Sequence, residues 1–205
     1  MAPQRTGEHR HVHLDLPSRW VERFAPLLPT GGTVLDLACG RGRHARYLAA
    51  RGHAVEAVDR DAQALSALAG AAGVTATCAD LEGGPWPYAG RRFDAVVVTN
   101  YLHRPLFGAI RDALGDGGGV LVYETFMRGN ERFAKPSNPA FLLEPGELLA
   151  AFGALTVVAF EQGRVDAPWP AVVQRLCAVK GVAPHALPLP TDDLTSSDLP
   201  GAAPR

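Results

Sequence analysis

Three acidic residues placed in or at the end of apolar runs carry the chemistry that this sequence offers. Asp36 lies inside TVLDLAC, 33–39, where a carboxylate among apolar neighbours is costly unless a donor satisfies it. Amides of the following turn are one such donor and a bound ammonium is another, and the ammonium suits the surroundings better. The run feeds the turn ACGRG, with Ala38, Gly40 and Gly42. The two glycines are read as positions where a Cβ would occupy ligand space or forbid the turn. Asp59, followed by Arg60, lies nineteen positions after Gly40 at the end of a second run. An acid there suits a ribose diol, or else caps the helix that starts in DAQAL. Asp80 closes a third run in CADLE. It is placed to accept from an exocyclic amine, with the Leu81 amide facing the ring; alone, it is an ordinary turn acid.

Further candidates follow the fourth and fifth runs. His103, in TNYLHRP, is the first candidate for a base if the reacting group carries a tightly held proton, or else a histidine that packs at a helix start. Tyr123 and Glu124 end the fifth run, and since neighbours on a strand alternate, one of them is expected to face away from the site. The stretch 125–143, TFMRGNERFAKPSNPAFLL, is long for a simple connection and holds Arg128, Arg132 and Lys135, with Gly129 as a flexible point. It reads as a lid over a small anionic acceptor whose arginines contact that acceptor. The bland reading is a solvated loop.

The elements that must position these residues follow from periodicity. Apolar runs at 33–39, 53–59, 74–80, 93–100 and 119–126 read as strands, with amphipathic stretches between several of them. That alternation predicts an α/β fold: a Rossmann-like, doubly wound, mostly parallel sheet with helices on both faces. Residues 155–163 and 171–181 complete the sheet, and PSRWVERF opens the domain with a helix whose Trp20 and Phe24 pack or cover the site. The expected organisation is a flexible N-terminus (1–16), one domain (17–181) and a disordered Pro-rich tail (182–205) whose removal after Gly181 leaves stability unchanged.

Composition narrows the function. The 205 residues hold 20 Lys and Arg against 21 Asp and Glu, so no overall field draws the chain to nucleic acid or an anionic membrane. Cys39, Cys78 and Cys177 lack metal or redox spacing, and the His9, His11 and His13 cluster has a spacing common in tails, so no metal is expected. No apolar stretch is long enough to span a bilayer, and a soluble, cytoplasmic monomer or homodimer is expected.

Over roughly 17–181 the chain resembles the class I S-adenosylmethionine-dependent methyltransferases, on VLDLACGRG, Asp59 and Asp80. More narrowly, LDLACGRGRHARYLA, AVDRD and YETF…GNERF…PSNP…FLLEPGEL resemble the small bacterial proteins likened to the tellurite-resistance methyltransferase. The resemblance implies S-adenosylmethionine as cofactor. It puts the glycine turn around the methionine part, Asp36 near its ammonium, Asp59 on the ribose, Asp80 on adenine, and Asn100 and Tyr101 beside the sulfonium. A small-molecule acceptor follows, because TNYLHRP lacks the Asn/Asp-Pro-Pro-aromatic signature of base methylation. The alternatives are a non-catalytic S-adenosylmethionine-binding protein and an NAD(P)-dependent dehydrogenase, since Gly40, Gly42 and Ala45 also satisfy G-x-G-x-x-A.

Overall fold

The computed structural model describes residues 15–187. The apolar runs form one seven-stranded sheet: β1 Thr33–Leu37, β2 Ala54–Asp59, β3 Val74–Cys78, β4 Ala95–Thr99, β5 Val120–Phe126, β6 Thr156–Val165 and β7 Ala171–Val179. Their order is β3-β2-β1-β4-β5-β7-β6. The first five run parallel, while β7 pairs antiparallel with both β5 and β6. This is the Rossmann-like, mostly parallel sheet that the alternation of runs predicts.

The reason lies in the strands' composition. AVVVT in β4 is buried throughout, as is VLVYET in β5; such unbroken apolar strands are stable only with both sheet faces covered. Successive residues alternate between two cores. Leu35, Leu37, Val96, Val98, Leu121 and Tyr123 face one, and Val34, Ala95, Val97, Val120 and Val122 face the other. The faces are covered by five α-helices, α1 Arg19–Phe24, α2 Arg43–Ala49, α3 Ala62–Leu65, α4 Phe107–Ala113 and α5 Glu147–Phe152, with a 3-10 turn Arg104–Leu106 ahead of α4. In α1, Trp20, Val21 and Phe24 are all buried in the second core, so Trp20 and Phe24 pack rather than cover a site.

β2 and β3 lie on one side of β1, and β4 and β5 on the other. Chain direction therefore reverses at β1, and the crevice beyond the carboxyl ends of β1 and β4 is where open α/β sheets receive ligands.

The packed chain runs past Gly181. Val182 and Leu187 pack against the second core, Thr156 Oγ1 donates to the Val182 carbonyl at 2.6 Å, and Pro184–Ala186 forms a 3-10 turn. Packing among the described residues thus continues past the expected boundary at Gly181, through two apolar side chains too few to register as periodicity. Residues 1–14, with His9, His11 and His13, and 188–205 lie outside the described residues. Among the described residues, no helix is long and apolar enough to cross a membrane.

A chain ending after Gly181 is therefore expected to be less stable than one ending after Leu187 by about 1–2 kcal/mol, from two half-buried side chains and one hydrogen bond. Calorimetry should show a melting temperature lower by about 2–8 °C. Equal melting temperatures would return 182–187 to the tail.

Candidate functional site

An open cleft at the carboxyl edge of the sheet is lined by Ala38, Asp59, Arg60, Asp80, Leu81 and Tyr101, with Ala79 and Glu82 between them. Six of the residues singled out from sequence thus meet in one place, although they come from three strand ends and the loop after β4.

Backbone geometry makes the meeting possible. Ala38 adopts φ 53° and Gly40 φ 55°, so the chain leaves β1 in a left-handed turn; a non-glycine residue pays about 1–2 kcal/mol for that conformation. Gly40 and Gly42 separate in role. A Cβ on Gly40 would meet nothing within 4 Å, leaving open space beside the cleft. A Cβ on Gly42 would collide with the Leu68 side chain. Gly42 is therefore required by helix packing and by its φ of 73°, which corrects the reading of both glycines as making room for ligand.

Asp59 ends β2 and spans the turn: its Oδ2 accepts from the Gly40 amide at 2.7 Å and its Oδ1 from the Asp61 amide at 2.9 Å. The helix cap considered for Asp59 is supplied instead by Asp61, which accepts from the Gln63 and Ala64 amides. Asp80 accepts from the Glu82 amide at 3.0 Å. The amides of Glu82 and Gly83 hold its carboxyl below the ordinary range, so it is ionised at neutral pH.

Asp36 does not line the cleft wall. It sits two residues before Ala38, 1% exposed, and neither carboxylate oxygen has a hydrogen-bond partner among the described residues. Burial raises its pKa from 3.8 to about 7; the nearby Ala45 amide and the charge of Arg43 pull the other way without offsetting it, and Asp59 adds to the rise.

The post-β4 residues divide. Asn100 adopts φ 54° at the strand end and donates its amide to the Glu124 carbonyl. Tyr101 lines the cleft, with its hydroxyl buried and unpartnered among the described residues. His103 is half-buried and starts the 3-10 turn at Arg104 without capping it. Tyr123 is fully buried, and its hydroxyl donates to the Tyr101 carbonyl at 3.1 Å. That corrects the expectation of a catalytic Tyr123: it faces the first core and holds Tyr101 from beneath. Glu124 faces the opposite way, as alternation requires.

The 125–143 segment is anchored. Met127 bridges to Leu143, and Asn130, fully buried, accepts from the Val172 amide and donates to the Ala134 and Pro136 carbonyls. Gly129, at φ 103°, belongs to this fixed turn and is not a loose hinge. Arg128 pairs with Glu144 at 2.8 Å on the surface. That position does not support its expected contact with an acceptor, whereas Arg132 is exposed and makes no side-chain hydrogen bond or ion pair among the described residues.

Sequence reasoning missed a polar group beneath α1, on the face of the sheet that Val34 and Asp36 share. His44 is 1% exposed. Its Nε2 accepts from the Ser18 amide at 3.1 Å, so the ring proton is on Nδ1, 3.3 Å from Thr99 Oγ1. Burial, with the charge of Arg43, depresses its pKa to about 3. Ser18 also donates its hydroxyl to Glu124 at 2.7 Å, and Glu124 is paired with Arg175. The only sequence signal was Ser18 as a helix N-cap. Arg104 was missed too. It makes a two-pronged bond to Glu147 and donates to the Ala140 and Leu142 carbonyls, tying the post-β4 loop to the end of the 125–143 segment. Among the described residues, no cluster of His, Cys, Asp and Glu has the makings of a metal site.

Comparison with known proteins agrees with this fold. Residues 34–118 match the methyltransferase domain family. The fold superposes on TehB from Haemophilus influenzae with a TM-score of 0.65 at 17% identity, over 78% of this chain and 61% of that one. It also matches an S-adenosylmethionine-dependent methyltransferase from Mesorhizobium loti (TM-score 0.61, 20% identity, 82% of this chain and 100% of that one). A third match is the glycopeptide N-methyltransferase MtfA in complex with S-adenosylhomocysteine (TM-score 0.56, 19% identity, 87% and 100%). No curated protein matches in sequence. The fold is that of the class I methyltransferases.

The buried Asp36 gives a pH signature. An acid whose folded pKa lies above its unfolded one holds more protons when folded, so its contribution to stability is intact below about pH 4 and is lost as pH rises through 7. Between pH 5 and pH 8 the ligand-free protein should lose about 2–3 kcal/mol relative to Asp36→Asn. Urea unfolding of both proteins at the two pH values measures it; a gap that does not change with pH would show that Asp36 titrates normally.

Proposed function

We propose that this chain, whose residues 34–118 are a methyltransferase domain in a class I fold, binds S-adenosylmethionine along the cleft and methylates a small-molecule acceptor. The observation that carries the reading is Asp36, a buried carboxylate without a hydrogen-bond partner among the described residues, two residues before the Ala38 that lines the cleft with Asp59 and Asp80. A dinucleotide gives Asp36 nothing to hold. An aminoacyl nucleoside brings an ammonium, which removes the burial penalty; the dehydrogenase alternative is for this reason not favoured.

Bound S-adenosylmethionine supplies a methyl group already activated on a sulfonium. The protein's task is then alignment and exclusion of water. Asp59 takes the ribose hydroxyls, and its bonds to the Gly40 and Asp61 amides fix both oxygens in place. Asp80 accepts from the adenine amine, and Leu81 faces the ring. The open space beside Gly40 takes the methionine part, with the Ala38 backbone beside it. Asn100 and Tyr101 flank the methyl group, Tyr101 being held from below by Tyr123. His103, at the rim, takes the proton of an acceptor that carries one.

The anchored 125–143 segment walls the acceptor side. Arg132, exposed and unengaged, is its better candidate for an anionic acceptor, while Arg128 is occupied by Glu144. The near-balance of charge over the chain, net −1, favours a small molecule over nucleic acid. Free thiols at Cys39, Cys78 and Cys177 suit a reducing compartment such as the cytoplasm.

Calorimetry with S-adenosylhomocysteine, beside NADH and NADPH, tests the reading. S-adenosylhomocysteine alone should bind, and Asp59→Ala should weaken it by about 1–3 kcal/mol in a folded protein. Unchanged affinity would remove Asp59 from the ribose. In a screen of acceptors, Arg132→Ala should lower turnover several-fold with S-adenosylhomocysteine affinity unaltered, and Arg128→Ala should do less. Wild-type turnover in Arg132→Ala with each accepted substrate would make the segment a surface loop. Absence of turnover with every acceptor class would favour a protein that binds the cofactor without catalysis.

A further inference from the structure

Arg104 opens the 3-10 turn after β4, three residues beyond Tyr101, which lines the cleft. Its Nε and Nη2 donate to the two oxygens of Glu147 at 2.6 and 2.9 Å. Nη1 donates to the Ala140 carbonyl at 2.8 Å and Nη2 to the Leu142 carbonyl at 2.9 Å. A guanidinium has five donors, and these bonds use nearly all of them. Glu147 in turn accepts from the Glu144 amide at 2.8 Å. A surface ion pair is ordinarily worth little. This one is two-pronged, its acid is 19% exposed, and both partners also hold backbone groups of the same wall.

The wall does not need Arg104 to stay on the sheet. The Leu143 amide donates to the Phe126 carbonyl and the Arg128 amide to the Leu143 carbonyl, so the end of the segment is tied to β5 independently. What Arg104 adds is a junction between residues 139–142 and the irregular stretch 101–103. Phe141, between the two carbonyls that Arg104 holds, keeps its ring 49% exposed: the backbone is fixed there although its largest side chain stays outside the core. At the other end of the junction, Tyr101 has its carbonyl held by Tyr123 and its hydroxyl buried and unpartnered among the described residues. The residues that line the cleft include Tyr101 and none of 139–147.

Resting on the reading of the cleft as an S-adenosylmethionine site, we infer that Arg104 is a positioning residue that carries the order imposed by the donor at Tyr101 into the 139–147 wall. A donor that restrains Tyr101, and gives its hydroxyl a partner, restrains a link only three residues long. Four bonds at the far end of that link leave the wall little freedom to open by itself. His103 lies within the link, so wall and rim are set together when the donor is bound. An effect of this kind requires that the ligand favour one state of the joined element over another, and the hydroxyl of Tyr101 supplies that difference.

The test is amide hydrogen–deuterium exchange with and without saturating S-adenosylhomocysteine, beside calorimetry with the same ligand, on wild-type protein, Arg104→Met, Arg104→Lys and Glu147→Gln. Exchange reads local opening directly. In wild-type protein the ligand should slow exchange by about tenfold or more both at 101–106 and at 139–147. In Arg104→Met the slowing at 101–106 should persist while that at 139–147 falls to about twofold or less, with affinity for S-adenosylhomocysteine within about threefold of wild type. Arg104→Lys and Glu147→Gln, which keep part of the junction, should each keep part of the slowing. Should Arg104→Met fail to fold, Glu147→Gln decides: full slowing at 139–147 in that variant overturns the inference. So does slowing at 139–147 that survives in a folded Arg104→Met. Wild-type protein that binds the ligand without slowing 139–147 overturns the inference and leaves the cofactor reading intact. Wild-type protein that does not bind S-adenosylhomocysteine overturns both.

Discussion

A carboxylate in the middle of a parallel strand, flanked by apolar layers and without a hydrogen-bond partner among the described residues, sets a cost that the chain does not itself meet. Asp36 is in that position. Unpaired burial of this kind is worth a few kcal/mol, a sizeable part of the roughly 5–15 kcal/mol that holds a domain together. The rest of the crevice is arranged around it. The chain turns out of β1 through two left-handed residues, Ala38 and Gly40. Asp59 pins that turn from the neighbouring strand through the Gly40 amide. Strain at Ala38 and an unmet charge at Asp36 lie two residues apart, and both are the kind of stored penalty that collects at binding sites.

On the same face of the sheet, beneath α1, the neighbouring polar groups satisfy one another. Ser18 makes three bonds: its hydroxyl caps α1 at Trp20 and reaches Glu124 of β5, while its amide reaches His44 of α2. Glu124 is paired with Arg175, whose guanidinium lies near the Trp20 ring. The contrast is informative. Where the chain needs a polar core for its own sake, as beneath α1, each group is matched; His44 is even held neutral, so that it buries no charge. Asp36, in the same neighbourhood, is left without a hydrogen-bond partner among the described residues.

Arg104 does for the acceptor side what Asp59 does for the cofactor side. From the loop after β4 it engages Glu147 at the start of α5 and two carbonyls near the end of the 125–143 segment. A long connection would otherwise be free to sample many conformations; here Asn130 holds its first half and Arg104 its second. Wall and post-β4 loop are thereby joined, so a shift in either is felt by His103 and Tyr101.

The sheet was legible in the sequence because burial on both faces demands unbroken apolar strands, and few arrangements alternate such strands with helices. Asp36, Asp59 and Asp80 were legible because an acid at the edge of an apolar run stands out from its neighbours. Residues whose partners come from distant segments were not. Tyr123 and Glu124 are adjacent in the chain, and alternation requires that they face opposite ways, but only the packing of β5 decides that Tyr123 enters the core and Glu124 meets Ser18 and Arg175. Gly42 resembles Gly40 as a letter. It differs because Leu68, twenty-six residues later, presses on its α-carbon. His44 and Arg43 read as ordinary residues of an amphipathic helix, since nothing local records that Thr99, Ser18 and Asp36 lie next to them. Local pattern fixes what each segment becomes, because hydrogen bonding and hydrophobic periodicity act over a few residues. Which polar groups find partners, and which are left open for a ligand, depends on contacts tens of residues apart, and the folded chain alone brings those together.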